Sequence, residues 1–125
     1  MIDWSKYPNF SKSEFDCSHS GRNEMQEIVI DTLQRMRVVY GKPIIISSGY
    51  RDVTHPVERN KGSRGEHTYG LAVDIKCRGE DAYNLLDLAL EYEVPRIGVS
   101  QSGDARFLHL GFAREGFPSP WIWSY

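Results

Sequence analysis

The chain has 125 residues, 40% of them apolar, a formal charge of -2 and a pI near 6.1. That length supports one domain with one core over residues 1–125, and the near-balanced charge offers no broad field to draw the protein onto nucleic acid or an anionic membrane. No segment approaches the roughly 18 consecutive apolar residues of a membrane span, and "MIDWSKYPNFSKSEF" lacks the basic stretch and apolar block of a secretory signal, so a soluble monomer is expected.

The first clear element runs from Glu24 to Tyr40, where Met25, Val29, Leu33, Met36 and Tyr40 recur at helical spacing. Gly41 ends it, Pro43 forbids continuation, and "PIIISS" reads as a buried strand. From Gly49 to Gly70 the chain is rich in Gly, Pro, Arg and Asn and has no period. A loop that long in a small domain is expected to be functional or disordered.

"LAVDIK" resumes strand alternation, with Leu71, Val73 and Ile75 on one side and Ala72, Asp74 and Lys76 on the other. A second helix is expected from about Glu80 to Tyr92, its stripe formed by Ala82, Leu85, Leu86, Ala89 and Leu90, and Pro95 stops it. "RIGVSQ" and "RFLHLGF" flank an "SGD" turn and read as a hairpin; on the second strand His109 lies on the face opposite Leu108 and Leu110. Helices grouped around a small, largely antiparallel sheet make an α+β fold.

Cys17 and Cys77 are the only cysteines and lie far apart, which fits a reducing compartment and half-buried thiols, with one disulfide as the alternative. Cys17 and His19 form a Cys-x-His without a partner pair, so a structural role is expected there. Trp121, Trp123 and Tyr125 either pack on the core or stack on glycan.

The chain has four histidines, and two stand beside rigid backbone: His67 closes the long loop and His109 lies mid-strand. With Asp74 they form a set of imidazole and carboxylate donors of the kind zinc takes, and three protein ligands leave a fourth position open for water. A divalent cation would also compensate a carboxylate set in an apolar strand. Zinc is the expected ion, although other divalent ions suit the same donors.

"SGYR", then "GEHTYGLAVDI", then "RFLHL" resemble the zinc D-Ala-D-Ala carboxypeptidase and L-alanyl-D-glutamate endopeptidase family of peptidoglycan peptidases. The resemblance spans nearly the whole chain, and "FSKSEFDCSHSG" and "IWSY" look like single-domain members from phages and prophages. It implies a hedgehog/D-Ala-D-Ala-peptidase-like fold, Zn2+ bound by His67, Asp74 and His109, and hydrolysis of an amide in the peptidoglycan stem peptide. It further implies an endolysin made in the bacterial cytoplasm that acts on the wall after release. Arg51 matches an arginine that orients a substrate carboxylate or stabilises an oxyanion, a role that suits its planar donor fork; the alternative is a loop arginine paired with Asp52 or Glu58.

Two positions depart from the family pattern. Members place a proton acceptor two or three residues before the last ligand, where this chain has Phe107 and Arg106. Asp104, in the turn before the strand, is the acid expected to serve instead, with Glu66, His55 and Glu58 as other candidates. Related chains also carry Asp two residues after the last histidine, where this chain has Gly111. A wall-binding or virion module that keeps the metal without turnover is the competing expectation. The loop from Arg51 to Glu66, with Gln101, is expected to decide which bond is cut.

Overall fold

The computed structural model describes residues 1–125. Helix α1 spans Glu27–Tyr40 and buries Val29, Ile30, Leu33 and Met36, while Tyr40 is only partly buried. It begins three residues later than the apolar spacing predicts. The Asn23 side chain accepts the Met25 N–H (3.0 Å) and the Gln26 N–H is donated to the Gly70 carbonyl (2.9 Å), so the backbone at Gln26 is extended rather than helical. Gly41 closes the helix in the left-handed region, φ 75°, as expected.

Strand β1 is Ile45–Ser48, and the long connection that follows is ordered locally by a one-turn helix, α2 (Pro56–Arg59), and a 3-10 turn, Glu66–Tyr69. Strand β2, Ala72–Lys76, leads to helix α3, Gly79–Glu91. Strands β3 (Arg96–Ser100) and β4 (Phe107–Gly111) pair antiparallel as the hairpin pattern predicts. On α3 the buried stripe is Ala82, Leu85, Leu88 and Ala89; Leu90, expected on it, is 59% exposed, because the helix phase places Leu88 inward instead.

The sheet order is β1-β2-β4-β3-β5, antiparallel except for the β3–β5 pair, and the fold is α+β. Strand β5, Trp121–Ser124, is absent from the sequence expectation; it places Trp121 and Trp123 on the edge of the sheet, parallel to β3, rather than in the core. One core of 22 buried residues joins α1, α3 and the N-terminal aromatics Tyr7, Phe10 and Phe15 to Val73, Ile75, Ile97, Leu108 and Leu110 of the sheet. Strand alternation then sends Ala72, Asp74, Arg96, Gly98, His109 and Gly111 to the opposite face. Both cysteines are buried free thiols, so the disulfide alternative does not hold, and burial pushes Cys77 up to about 11. No helix is long and apolar enough to cross a membrane.

Candidate metal centre

Asp74 and His109 are direct cross-strand partners on β2 and β4, and His67 reaches them from the 3-10 turn. The turn is held from both sides: Gly70, at φ 70°, donates its N–H to the His67 carbonyl (3.3 Å), and the Arg51 N–H is donated to the same oxygen (3.3 Å). All three side chains are buried, and their ligand atoms lie within 4.8 Å of one another.

The hydrogen-bond partners fix the protonation of the two rings. His67 donates Nδ1–H to the Gly49 carbonyl at 2.8 Å, which leaves Nε2 with a lone pair. That Nε2 is buried and has no hydrogen-bond partner, although it stands 3.3 Å from Asp74 Oδ1. His109 Nε2 is 2.5 Å from Glu66 Oε1, and its Nδ1 is 3.1 Å from the same Asp74 oxygen. Two acceptors face to face across 3.3 Å call for a cation between them. Tetrahedral zinc with bonds of about 2.0–2.1 Å sets its ligands about 3.3 Å apart, so these residues fit the ion.

The electrostatics agree with that requirement. Burial depresses His67 and keeps it neutral, as a ligand must be. Burial also opposes charge on Asp74, yet the hydrogen bond from His109 Nδ1 and the two imidazoles close beside it hold its carboxyl far below the usual range. Burial works against a charged His109 as well, but its bonds to Asp74 and Glu66 outweigh burial and raise it.

The cluster floors a cavity of about 430 Å³ whose lining includes Arg51, Lys61, Arg96, Phe107, Trp123 and Tyr125. Arg51 donates Nε–H to Ser48 Oγ (3.1 Å), one terminal nitrogen to Glu58 (3.2 Å) and the other to Asp74 Oδ2 (3.1 Å). Three of its roughly five N–H bonds are so engaged, and the remaining two are available to a ligand. Of its two expected alternatives, the Glu58 pairing is present alongside the metal-site contact; Asp52 pairs instead with Arg22 at 2.8 Å.

Asp104 is not brought to the cluster. It is exposed and lines a separate cavity with Ser47, Lys76 and Arg106, because the turn carries it to that rim rather than inward. His55 accepts the Val57 N–H at the start of α2, and Glu58 is buried against Arg51 and Lys61, so neither faces the metal cavity. Glu66 is the one carboxylate besides Asp74 in the cavity lining. Gln101 is likewise absent from that lining, its amide donating to the carbonyls of Cys77 and Ser100, both 3.0 Å.

Two contributors escaped sequence reasoning. Trp123 packs on the His109 ring, centroids 5.0 Å apart, and reaches it over Gly98, where any Cβ would strike the indole. Arg96 donates Nε–H to Glu66 Oε1 (3.1 Å) beneath Trp123 and Phe117, each 5.1 Å from its guanidinium carbon. The only sequence signal for either was a charged residue opening the apolar run "RIGVS" and a glycine inside it.

The comparison with curated proteins finds no match. A family model, Peptidase M15, matches residues 8–111, which includes all three cluster residues, Arg51 and Glu66. With a His-Asp-His cluster of zinc-binding geometry inside the matched segment, the chain belongs to the Peptidase M15 family of zinc-dependent metallopeptidases.

Proposed function

We propose that the protein hydrolyses an amide bond in the peptidoglycan stem peptide, with zinc held by His67 Nε2, Asp74 Oδ1 and His109 Nδ1. The observation that carries this reading is the convergence of those three atoms, one of them a buried orphan, at the floor of a cavity with cationic walls. When bound, zinc supplies Lewis acidity, polarising a carbonyl and making water a nucleophile at neutral pH. Arg51 uses its two uncommitted N–H bonds to hold a substrate carboxylate or the developing oxyanion, its direction fixed by Glu58 and Ser48. Lys61, 43% exposed at its side chain and tied only to Glu58, adds a second charge suited to an acidic peptide. Phe107, Trp123 and Tyr125 form an apolar wall along which the peptide lies.

The setting we infer is that of a phage or prophage endolysin, a monomer made in the bacterial cytoplasm that reaches the wall after release. The resemblance of "FSKSEFDCSHSG" to single-domain members supports it. Either D-Ala-D-Ala carboxypeptidase or L-Ala-D-Glu endopeptidase action suits the same metal chemistry. One observation favours a second reading, a wall-binding module without turnover: Arg106 and Phe107 stand where an acid is expected, and Asp104 lies outside the cavity.

The test is amine release from purified sacculi by zinc-loaded protein, compared with His67→Ala, with zinc content measured in both. Release by the wild type, with zinc and activity lost together in the variant, is the expected result, and mass spectrometry of the products then names the bond. A zinc-loaded wild type that binds sacculi of several wall types and releases nothing establishes the second reading.

A further inference from the structure

We propose that Glu66 is the positioning residue of the metal centre, a carboxylate that sets the ring orientation and tautomer of His109 and occupies space left open by Gly111. This rests on the zinc reading above and goes beyond it, because Glu66 bears on the ion only through a ligand.

Glu66 is buried, with 4% exposure, and its two oxygens are committed. Oε1 accepts from His109 Nε2 (2.5 Å) and from Arg96 Nε (3.1 Å), while Oε2 accepts from the Ala113 N–H (3.4 Å). Asp74 meets the same imidazole at the other nitrogen, Nδ1. The two carboxylates therefore bracket the ring, one on the metal side and one behind it. A proton kept on Nε2 by Glu66 leaves Nδ1 bare toward the ion, the arrangement that strengthens a histidine ligand. The same geometry removes Glu66 from the list of proton acceptors, since the imidazole stands between it and the ligand atoms.

The sheet makes room for this carboxylate at a single point. Gly111 is the cross-strand partner of both Ala72 and Arg96, so three neighbouring positions on this face carry a methyl group, nothing, and a long guanidinium. A Cβ built on Gly111 would overlap both oxygens and the carboxyl carbon of Glu66, closer than real Cβ atoms approach. The carboxylate thus fills the volume that a side chain at 111 would occupy, delivered from the 3-10 turn instead of from β4. Arg96 lies across the gap and neutralises it.

This geometry makes an exchange possible. A short carboxylate attached at 111 points into the space that Glu66 vacates, so Glu66→Ala combined with Gly111→Asp should rebuild the support from the opposite side. Glu66→Gln retains shape and removes charge, and Gly111→Ala retains the charge and displaces it.

The experiment measures zinc affinity by chelator competition for the wild type and these variants. Alongside it, long-range nitrogen–proton NMR reads the His109 tautomer, and circular dichroism confirms that each variant is folded. Glu66→Gln and Gly111→Ala should weaken zinc by about 10- to 100-fold and lose the fixed Nε2–H tautomer. The double variant should regain both properties relative to Glu66→Ala. A folded Glu66→Gln that binds zinc as tightly as the wild type, with the tautomer unchanged, overturns the inference and leaves the metal reading intact. A wild type that binds no zinc overturns the metal reading itself. If Glu66→Ala does not fold, Glu66→Gln and Gly111→Ala decide the matter between them.

Discussion

Asp74 has three close neighbours: Arg51 donates to Oδ2 and His109 Nδ1 to Oδ1, while the bare His67 Nε2 stands 3.3 Å from that same Oδ1. Its carboxyl lies below its ordinary value, so the stability it contributes to the metal-free protein is present above about pH 4 and lost as pH falls through the lowered value. Urea unfolding of the chelator-treated protein should accordingly show stability falling progressively below pH 4, and less steeply in Asp74→Asn. His109 behaves in the opposite sense. Its raised value means that zinc must displace a proton there, so apparent affinity should fall about tenfold per pH unit, starting above the pH at which an unperturbed histidine titrates. Competition assays between pH 8 and pH 6 read the onset directly. Arg51→Lys keeps a charge but loses the fork; kcat/KM on wall peptides should drop about 100-fold while zinc is retained, as steady-state assays with parallel metal analysis would show. Cys17 and Cys77, both buried, should resist thiol reagents until denaturant is added.

At the scale of the elements, α1, α3 and the strands around them were legible because their apolar residues repeat at 3.6 or 2 along the chain and meet one core. Strand β5 was not, since three of its four residues are exposed or nearly so and it is held by parallel pairing to β3, which lies more than twenty residues earlier. The convergence of the His-Asp-His cluster was readable for a related reason: His67 and Asp74 sit seven residues apart across a glycine turn, and His109 shows its face by alternation. Glu66 and Asp104 were indistinguishable in sequence, each a carboxylate beside a ligand-bearing element. Only the path of the backbone separates them, through the turn that sends Glu66 inward and the hairpin that carries Asp104 to another rim. Gly70 is the hinge of the first of these paths. Its φ is 70°, and a Cβ there would press on the backbone of Glu24 and Met25 at the entry to α1. Gly70→Ala should cost on the order of 2 kcal/mol or more in urea unfolding and weaken zinc binding with it.

For the molecule as a whole, a bound zinc would tie a segment outside the core to the sheet. Residues 51–66 contribute little to the apolar cluster, and their anchors to the rest of the chain are polar: Arg51 to Asp74, Asp52 to Arg22, and Glu66 to His109 and Arg96. Zinc in thousandfold excess over its Kd should stabilise the protein by about 4 kcal/mol, a rise in Tm on the order of 10 °C. Hydrogen exchange should gain protection mainly between Arg51 and Tyr69 and change little in α1 and α3. An even effect across both helices would mean that the ion stabilises the fold globally and does not act as a clasp on this segment.

The pairing of Asp74 opposite His109 makes the β2–β4 ladder a ruler for the candidate metal site. A slip of one residue would turn His109 into the core and bring Leu108 or Leu110 to the ion, so the spacing of the donors cannot drift by small steps. The stretch from Gln101 to Arg106 that joins β3 to β4 is free of that constraint, because it touches neither donor. Replacement hairpins grafted there, of any length that returns β4 in phase, should leave the metal chemistry unchanged while reshaping the neighbouring rim. The β3–β4 connection can thus vary at one end of the ladder with the donor geometry held constant in its middle.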